Sequence, residues 1–214
     1  RRALRRLGAR RVATCEVPVL FDSLTAASLV GQLVGCLNGY SVYRQMSFLA
    51  SQMGQPIAAD AVTVIDDGRR PGGLGSKPFD GEGLATRRNV LVDRGRLTSW
   101  LLDSYSGRKL GIPSTGNASR GAGSAPGVAA TNCWIEPGSS TLEDMIRATP
   151  QGLLVTELIG MGFNPVTGDY SRGAAGLWIE GGEIAYPVEE ITIAGNLGEM
   201  MTNVDAVGSE LLWQ

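Results

Sequence analysis

The sequence contains no histidine. That removes imidazole as a general base, as a member of a serine-type triad and as a metal ligand. Lysine is nearly absent too, with only Lys77 and Lys109. No GxxxxGK[ST] phosphate loop occurs, so the glycine-rich stretches do not read as nucleotide cradles. The three cysteines, Cys15, Cys36 and Cys133, are odd in number and widely spaced, with no CxxC pair. That pattern argues against a disulfide frame or a zinc knuckle and reads as reduced, buried thiols of a cytoplasmic protein. No apolar run approaches the roughly 20 residues that span a bilayer, and the opening residues lack the pattern of a secretory leader. An excess of positive charge is also missing. The formal net charge of −2 makes no electrostatic case for nucleic acid.

What remains is an ordinary soluble composition in a chain of 214 residues, enough to bury a real core. Six arginines lie between Arg1 and Arg11, several at i,i+4 spacing. They read as the solvated face of a helix, with a nucleic-acid arm as the less favoured alternative. Residues 16–22 read as a strand. Asp22 or Ser23 then caps a helix over 24–37, whose Leu29, Val30, Leu33, Val34 and Leu37 recur at helical spacing. Further along, the pattern predicts a short helix at 47–53 and a strand at 61–65. A hairpin follows, with strands at 89–92 and 97–102, then helices at 103–110 and 141–147, with a long glycine-rich loop at 111–132 and a strand at 133–136 between them. Asp66, Asp67, Asp80 and Glu82 could be gathered around a divalent ion, but turn chemistry in an exposed connection is the simpler reading. Short runs separated by glycine turns, without strand–helix alternation, indicate an α+β fold. It is mainly an antiparallel, barrel-like sheet domain with a few helices.

The stretch around which the chain is arranged runs over residues 152–196. An apolar run is followed by a glycine-rich loop. Two strand-like runs, 177–180 and 183–188, then flank Gly181-Gly182, a strong hairpin signal. Residues 191–193 make a last short strand, and a helix over 197–207 closes the chain. A loop held between paired strands is where binding groups are commonly placed. Its candidates are Asn164, Thr167, Asp169, Tyr170, Ser171 and Arg172. They offer hydrogen-bonding groups, a planar guanidinium fork and a flat ring suited to an extended peptide backbone. The alternative is that Asn164-Pro165 and Gly168-Asp169 only make turns and Arg172 pairs with Asp169 or Glu157.

The segment ELIGMGFNPVTGDYSRGAAGLWIEGGEIAYPVEEITIAGN resembles the signature of the TldE (PmbA) proteins of the TldD/TldE metalloprotease family, once described as modulators of DNA gyrase. The resemblance extends through PVLFDSLTAASLVGQLVG (18–35), SKPFDGEGLATRRNVLVDRG (76–95) and LLDSYSGRKLGIPSTGNASRGAG (101–123). It implies a single C-terminal domain over residues 1–214, of the kind that follows a separate N-terminal α/β domain in the family. It also implies a cytoplasmic subunit that joins a TldD-like catalytic partner in a heterodimer acting on unfolded peptides; family roles include microcin maturation and antitoxin degradation. In TldD members the corresponding helix carries an HExxxH zinc motif, completed by a cysteine near the C-terminus. Here the helix reads DSLTAASLVGQLVG, and Cys36 and Cys133 do not match that cysteine. The resemblance therefore implies no zinc and no catalytic residue on this chain, with zinc on the partner. It marks Phe79, Asp80 and Glu82 in FDGEG as lining a cleft. Self-association in isolation and a stand-alone peptide-binding module are the alternatives.

Overall fold

A computed structural model of the chain describes residues 3–213. A 3-10 helix, Ala3–Arg6, leads by extended chain into β1 (Val19–Phe21), α1 (Ser23–Cys36) and α2 (Gly39–Tyr43). There follow β2 (Val64–Asp67), β3 (Arg88–Asp93), β4 (Arg96–Leu97), α3 (Ser104–Leu110), β5 (Ala118–Ser119), β6 (Gly127–Val128) and β7 (Cys133–Ile135). The chain ends with α4 (Leu142–Ala148), β8 (Gln151–Ile159), β9 (Asp169–Glu180), β10 (Glu183–Asn196) and α5 (Leu197–Thr202). Two four-stranded sheets, ordered β1-β8-β9-β10 and β4-β3-β2-β7, and the small β5-β6 pair make the frame. Only β1 and β8 run parallel among the described strands. The α+β, mainly antiparallel architecture expected from the sequence is present.

The strands follow from their side chains. In β9, Tyr170, Ala174 and Trp178 fall on one face, and Leu177 and Ile179 on the other. Each face feeds a separate apolar cluster. Gly181 and Gly182 take positive φ (60° and 78°), which turns β9 tightly into β10. α1 starts at Asp22, whose carboxylate accepts from the Thr25 amide at 2.9 Å, so the expected cap is present. From there α1 joins the two halves of the molecule. Its Thr25 hydroxyl donates to the Val155 carbonyl in the first sheet (3.1 Å). Leu33, Val34 and Leu37 enter the main core with Val62, Val64, Leu91, Val92 and Leu97 on the side of the second sheet.

Several expectations change. Residues 47–53 form successive turns, not a helix, while the helix at 39–43 had no clear sequence signal. The closing helix stops at Thr202. The strand placed at 61–65 begins at Val64, and the 97–102 strand shrinks to Arg96–Leu97. The loop expected to reach residue 176 ends at residue 168, because β9 already begins at Asp169 and β10 runs unbroken to Asn196. Gly162 and Gly176 explain the misreading. A Cβ on Gly176 would stand 2.1 Å from the Leu154 carbonyl oxygen, and on Gly162 1.7 Å from that of Ser171. These glycines let backbones approach; they do not make turns. Cys15 is exposed, against the expectation of burial.

The arginine-rich start is not a solvated helix either. Arg1 and Arg2 lie outside the described residues. Arg6 pairs with Glu157 (2.5 Å) and Glu189 (3.8 Å), Arg11 with Glu190, and the Arg10 guanidinium sits 3.4 Å from the Tyr186 ring centroid. Arg10 also pairs in parallel with Val188. The segment thus straps the outer edge of β10 where that strand bulges at Glu190 (φ 53°).

Candidate functional site

The loop between β8 and β9, residues 160–168, is fixed by its own backbone. Asn164 N–H donates to the Asp169 carbonyl (2.9 Å), and Gly168 N–H donates back to the Asn164 carbonyl (2.8 Å). The Asn164 side chain accepts from Val166 N–H at 3.0 Å, an Asx turn. Thr167 Oγ1 donates to the Asp169 carboxylate at 2.6 Å. Outside contacts then clamp the loop. Asn196 Nδ2 donates to the Thr167 carbonyl (2.9 Å), Leu197 N–H to that of Gly168 (2.8 Å), and Phe48 N–H to that of Pro165 (2.9 Å). Gly168 takes φ 82°, and a Cβ there would meet Asn196 Oδ1 at 2.9 Å. On this rigid frame the apolar side chains face solvent: Met161 is 93% exposed, Ile159 53% and Val166 49%.

The six residues singled out by sequence therefore divide. Asn164, Thr167 and Asp169 build the turn network, and with Ser171 they remain exposed. Tyr170 and Arg172 alternate to the other face of β9. The Tyr170 ring is 2% exposed and presents no flat surface to a ligand. Burial pushes its hydroxyl pKa up, while the nearby Arg172 guanidinium pulls against that. Arg172 pairs with neither Asp169 nor Glu157. Its Nη1 donates to Ser28 Oγ on α1 at 2.8 Å, and Glu157 belongs to Arg6. Position in sequence had put Tyr170 and Arg172 in the loop; the pleat of the strand turns them inward.

The second group sits elsewhere, in the connection between β2 and β3. Phe79 is 60% exposed. Asp80 is buried and works as a staple: Oδ1 accepts from Glu82 N–H (2.9 Å) and Leu84 N–H (3.0 Å), and Oδ2 from Ala118 N–H (3.1 Å). Glu82 accepts from Ser104 N–H at the start of α3 (2.8 Å). Asp80 is spent inside the fold, while Phe79 and Glu82 remain exposed. Beside this staple, Asp66 is wholly buried and accepts from Asn117 Nδ2 (2.6 Å), Thr131 N–H (2.6 Å) and Thr131 Oγ1 (3.0 Å). Asn117 also takes bonds from Asn89 and Thr115, so one buried polar network pins both ends of the 111–132 loop. Desolvation raises the Asp66 pKa against those hydrogen bonds.

The donor set suits zinc poorly. Among the described residues, no group of three or more His, Cys, Asp or Glu side chains is placed to hold a metal ion. α1 contributes neither imidazole nor carboxylate. Burial raises the Cys36 thiol pKa to about 11 and that of Cys133 to about 12, which disfavours the thiolate a metal would need. An open groove of about 670 Å³ between α4 and the β9–β10 hairpin holds none of the candidate residues. No helix among the described residues is long and apolar enough to cross a membrane.

Fold and site together define an α+β domain with a locked, apolar-tipped hairpin loop and no metal-ligand cluster among the described residues. Residues 14–214 match the PmbA/TldA metallopeptidase C-terminal domain, and the chain belongs to that family. It is 46% identical over 212 residues to the metalloprotease PmbA of Escherichia coli O157:H7, covering 99% of this chain and 45% of that protein. A TldD homologue from Buchnera aphidicola (subsp. Acyrthosiphon pisum) is 28% identical over 212 residues, 98% of this chain and 44% of that one. TldE from Thermococcus kodakarensis superposes with a TM-score of 0.89 at 30% identity, over 97% of this chain and 48% of that one. A Thermotoga maritima protein described as a modulator of DNA gyrase gives 0.89 at 31%, over 96% and 47%. The chain thus spans about half the length of the relatives it matches.

Proposed function

We propose that this domain is the peptide-handling half of a TldD/TldE-type peptidase. It carries no metal itself and presents substrate to a zinc-bearing TldD-like partner. The observation that carries this reading is the loop at 160–168. Its backbone is locked by at least six hydrogen bonds while Met161 and Val166 stand in solvent. A pre-ordered apolar crest loses little freedom on binding and offers sequence-tolerant contact to an unfolded chain. Its amide-rich rim, with Asn164, Thr167 and Ser171 exposed, supplies backbone partners beside the apolar side chains. The family names of the relatives support a peptidase context, and the donor set described above supports a silent role for this chain. Phe79 is a second exposed ring available to substrate.

Because Met161 and Val166 are exposed, replacing both by serine in the full-length protein costs within about 0.5 kcal/mol of stability. Peptide cleavage by the assembled complex is expected to fall several-fold while association with the partner holds. Unchanged cleavage of a denatured peptide would assign the loop to scaffold.

A further inference from the structure

β10 is the last strand of its sheet, and its outer edge is only partly used. At the strap, Arg10 N–H donates to the Pro187 carbonyl (3.2 Å), and Glu189 N–H donates to the Arg10 carbonyl (3.3 Å). Residues 187 and 189 therefore turn their backbone groups outward, and Val188, opposite Gly176, turns its own toward β9. The strap leaves the edge at the bulge, where Arg11 pairs with Glu190. Beyond the bulge, Ile191 lies opposite Ala174 and Ile193 opposite Arg172. Gly176, Ala174 and Arg172 share one phase of an antiparallel ladder, so Ile191 and Ile193 bond to β9. Thr192 and Ala194 then point their N–H and C=O groups outward. Among the described residues, no backbone group bonds to them there, and both residues are exposed. Residues 191–195 also lack the charges and prolines that ordinarily blunt an open edge.

We propose that residues 191–195 are a docking edge for one extended peptide, which adds to the sheet as a further strand beside β10. Three observations select this occupant. β10 already accepts an extended segment, since Arg10 pairs in parallel with Val188. The open stretch is short, bounded by the strap on one side and on the other by Asn196 and Leu197, which hold the loop at 160–168. Pairing over so short an edge buries far less than the roughly 1,000 Å² that an interface between folded proteins needs, which argues against a second copy. The edge also leads directly to the locked loop, so a peptide lying on it passes the apolar crest. Main-chain hydrogen bonds hold such a strand whatever its sequence, and side chains add selectivity. Ile191 and Ile193 are half-buried at the rim of the cluster around Ala174 and Trp178. A peptide with an apolar side chain at every second position extends that cluster. The inference deepens the peptide-handling reading and rests on it for the class of ligand.

The test uses the full-length protein and reads binding of a fluorescent, alternating Ser/Val octapeptide by anisotropy. A set of variants of this peptide carries a single N-methyl group at successive central positions. Each methyl removes one donor and adds bulk on one side of the strand. Only alternate residues face β10, so affinity is expected to fall about tenfold at every second position and little in between. Ala194→Pro removes an outward N–H and sets a ring on the edge, yet spares the ladder with β9. It should abolish binding of the parent peptide while Tm holds. If that variant does not fold, the N-methyl series on the wild-type protein decides alone. A flat response to N-methylation, no binding at all, or full binding by folded Ala194→Pro overturns the site. So does a wild-type dimer that Ala194→Pro converts to a monomer in light scattering, which gives the edge to a second copy. Alternating sensitivity without cleavage in the presence of a TldD-like subunit keeps this site and loses the functional reading. Cleavage by the complex that survives Ala194→Pro but falls on replacing Met161 and Val166 does the reverse.

Discussion

Replacing Asp66 by alanine lowers the unfolding free energy by about 3 kcal/mol, because Asn117 Nδ2 is left with the Ala129 carbonyl alone and the Thr131 amide and hydroxyl lose their acceptor. For a chain of this size that corresponds to a Tm loss of roughly 6–12 °C. Loop 111–132 should become sensitive to proteolysis first, since Asp66 is the anchor between it and β2. Asp66→Asn is expected to cost less. It keeps the shape and one acceptor and removes a desolvated charge, but sets its own amide against that of Asn117. The pH dependence separates the two contributions. The native carboxyl titrates above its usual value of 3.8 because burial disfavours the charge. The folded state therefore holds its proton to higher pH than the unfolded state does. Wild type should gain most over Asp66→Asn in acid, below that usual value, and lose the advantage as pH rises through the raised native value. Urea melts of both proteins across that range check it. A wild-type advantage that grows with pH would mean the hydrogen bonds outweigh desolvation.

Gly176→Ala is expected to cost about 3 kcal/mol or more without removing a single native contact. The added methyl would sit 2.1 Å from the Leu154 carbonyl oxygen and 3.0 Å from its carbon, both rigid backbone in the neighbouring strand. Relief requires β8 and β9 to part, which opens the clusters around Val155 and Trp178 on one face and around Leu154 and Leu177 on the other. Gly31→Ala supplies the contrast. That position is open, and alanine is the better helix former by about 1 kcal/mol, so stability should rise. Equal effects at the two positions, measured by chemical denaturation, would contradict this account of the sheet.

The local signals were legible because their partners lie close in sequence. Asp22 capping Thr25 and the Gly181-Gly182 turn both involve residues within a few positions of one another. Gly162 and Gly176 defeated that kind of reading, since a glycine kept for close backbone approach looks the same as one kept for a turn. The arginines at the start were opaque for another reason: Arg6 and Arg11 find their carboxylates 151 and 179 residues later. At the candidate site, Asn164-Pro165 and Gly168-Asp169 were visible as turn formers. The inward direction of Tyr170 and Arg172 depended on where β9 begins. Ser28 gave no such signal, because its bond to Arg172 exists only once α1 packs beside that strand.

The claim that this domain is the metal-free half of a two-chain peptidase is tested most directly by reconstitution. The full-length protein and a TldD-like subunit are purified separately. Each is assayed for zinc by elemental analysis, and each alone and the mixture for cleavage of a denatured peptide. The account predicts no tightly held zinc in this protein, about one per TldD-like chain, and cleavage only in the mixture. About one zinc per molecule here, lost on replacing Cys36 or Cys133, together with cleavage by this protein alone, would contradict it.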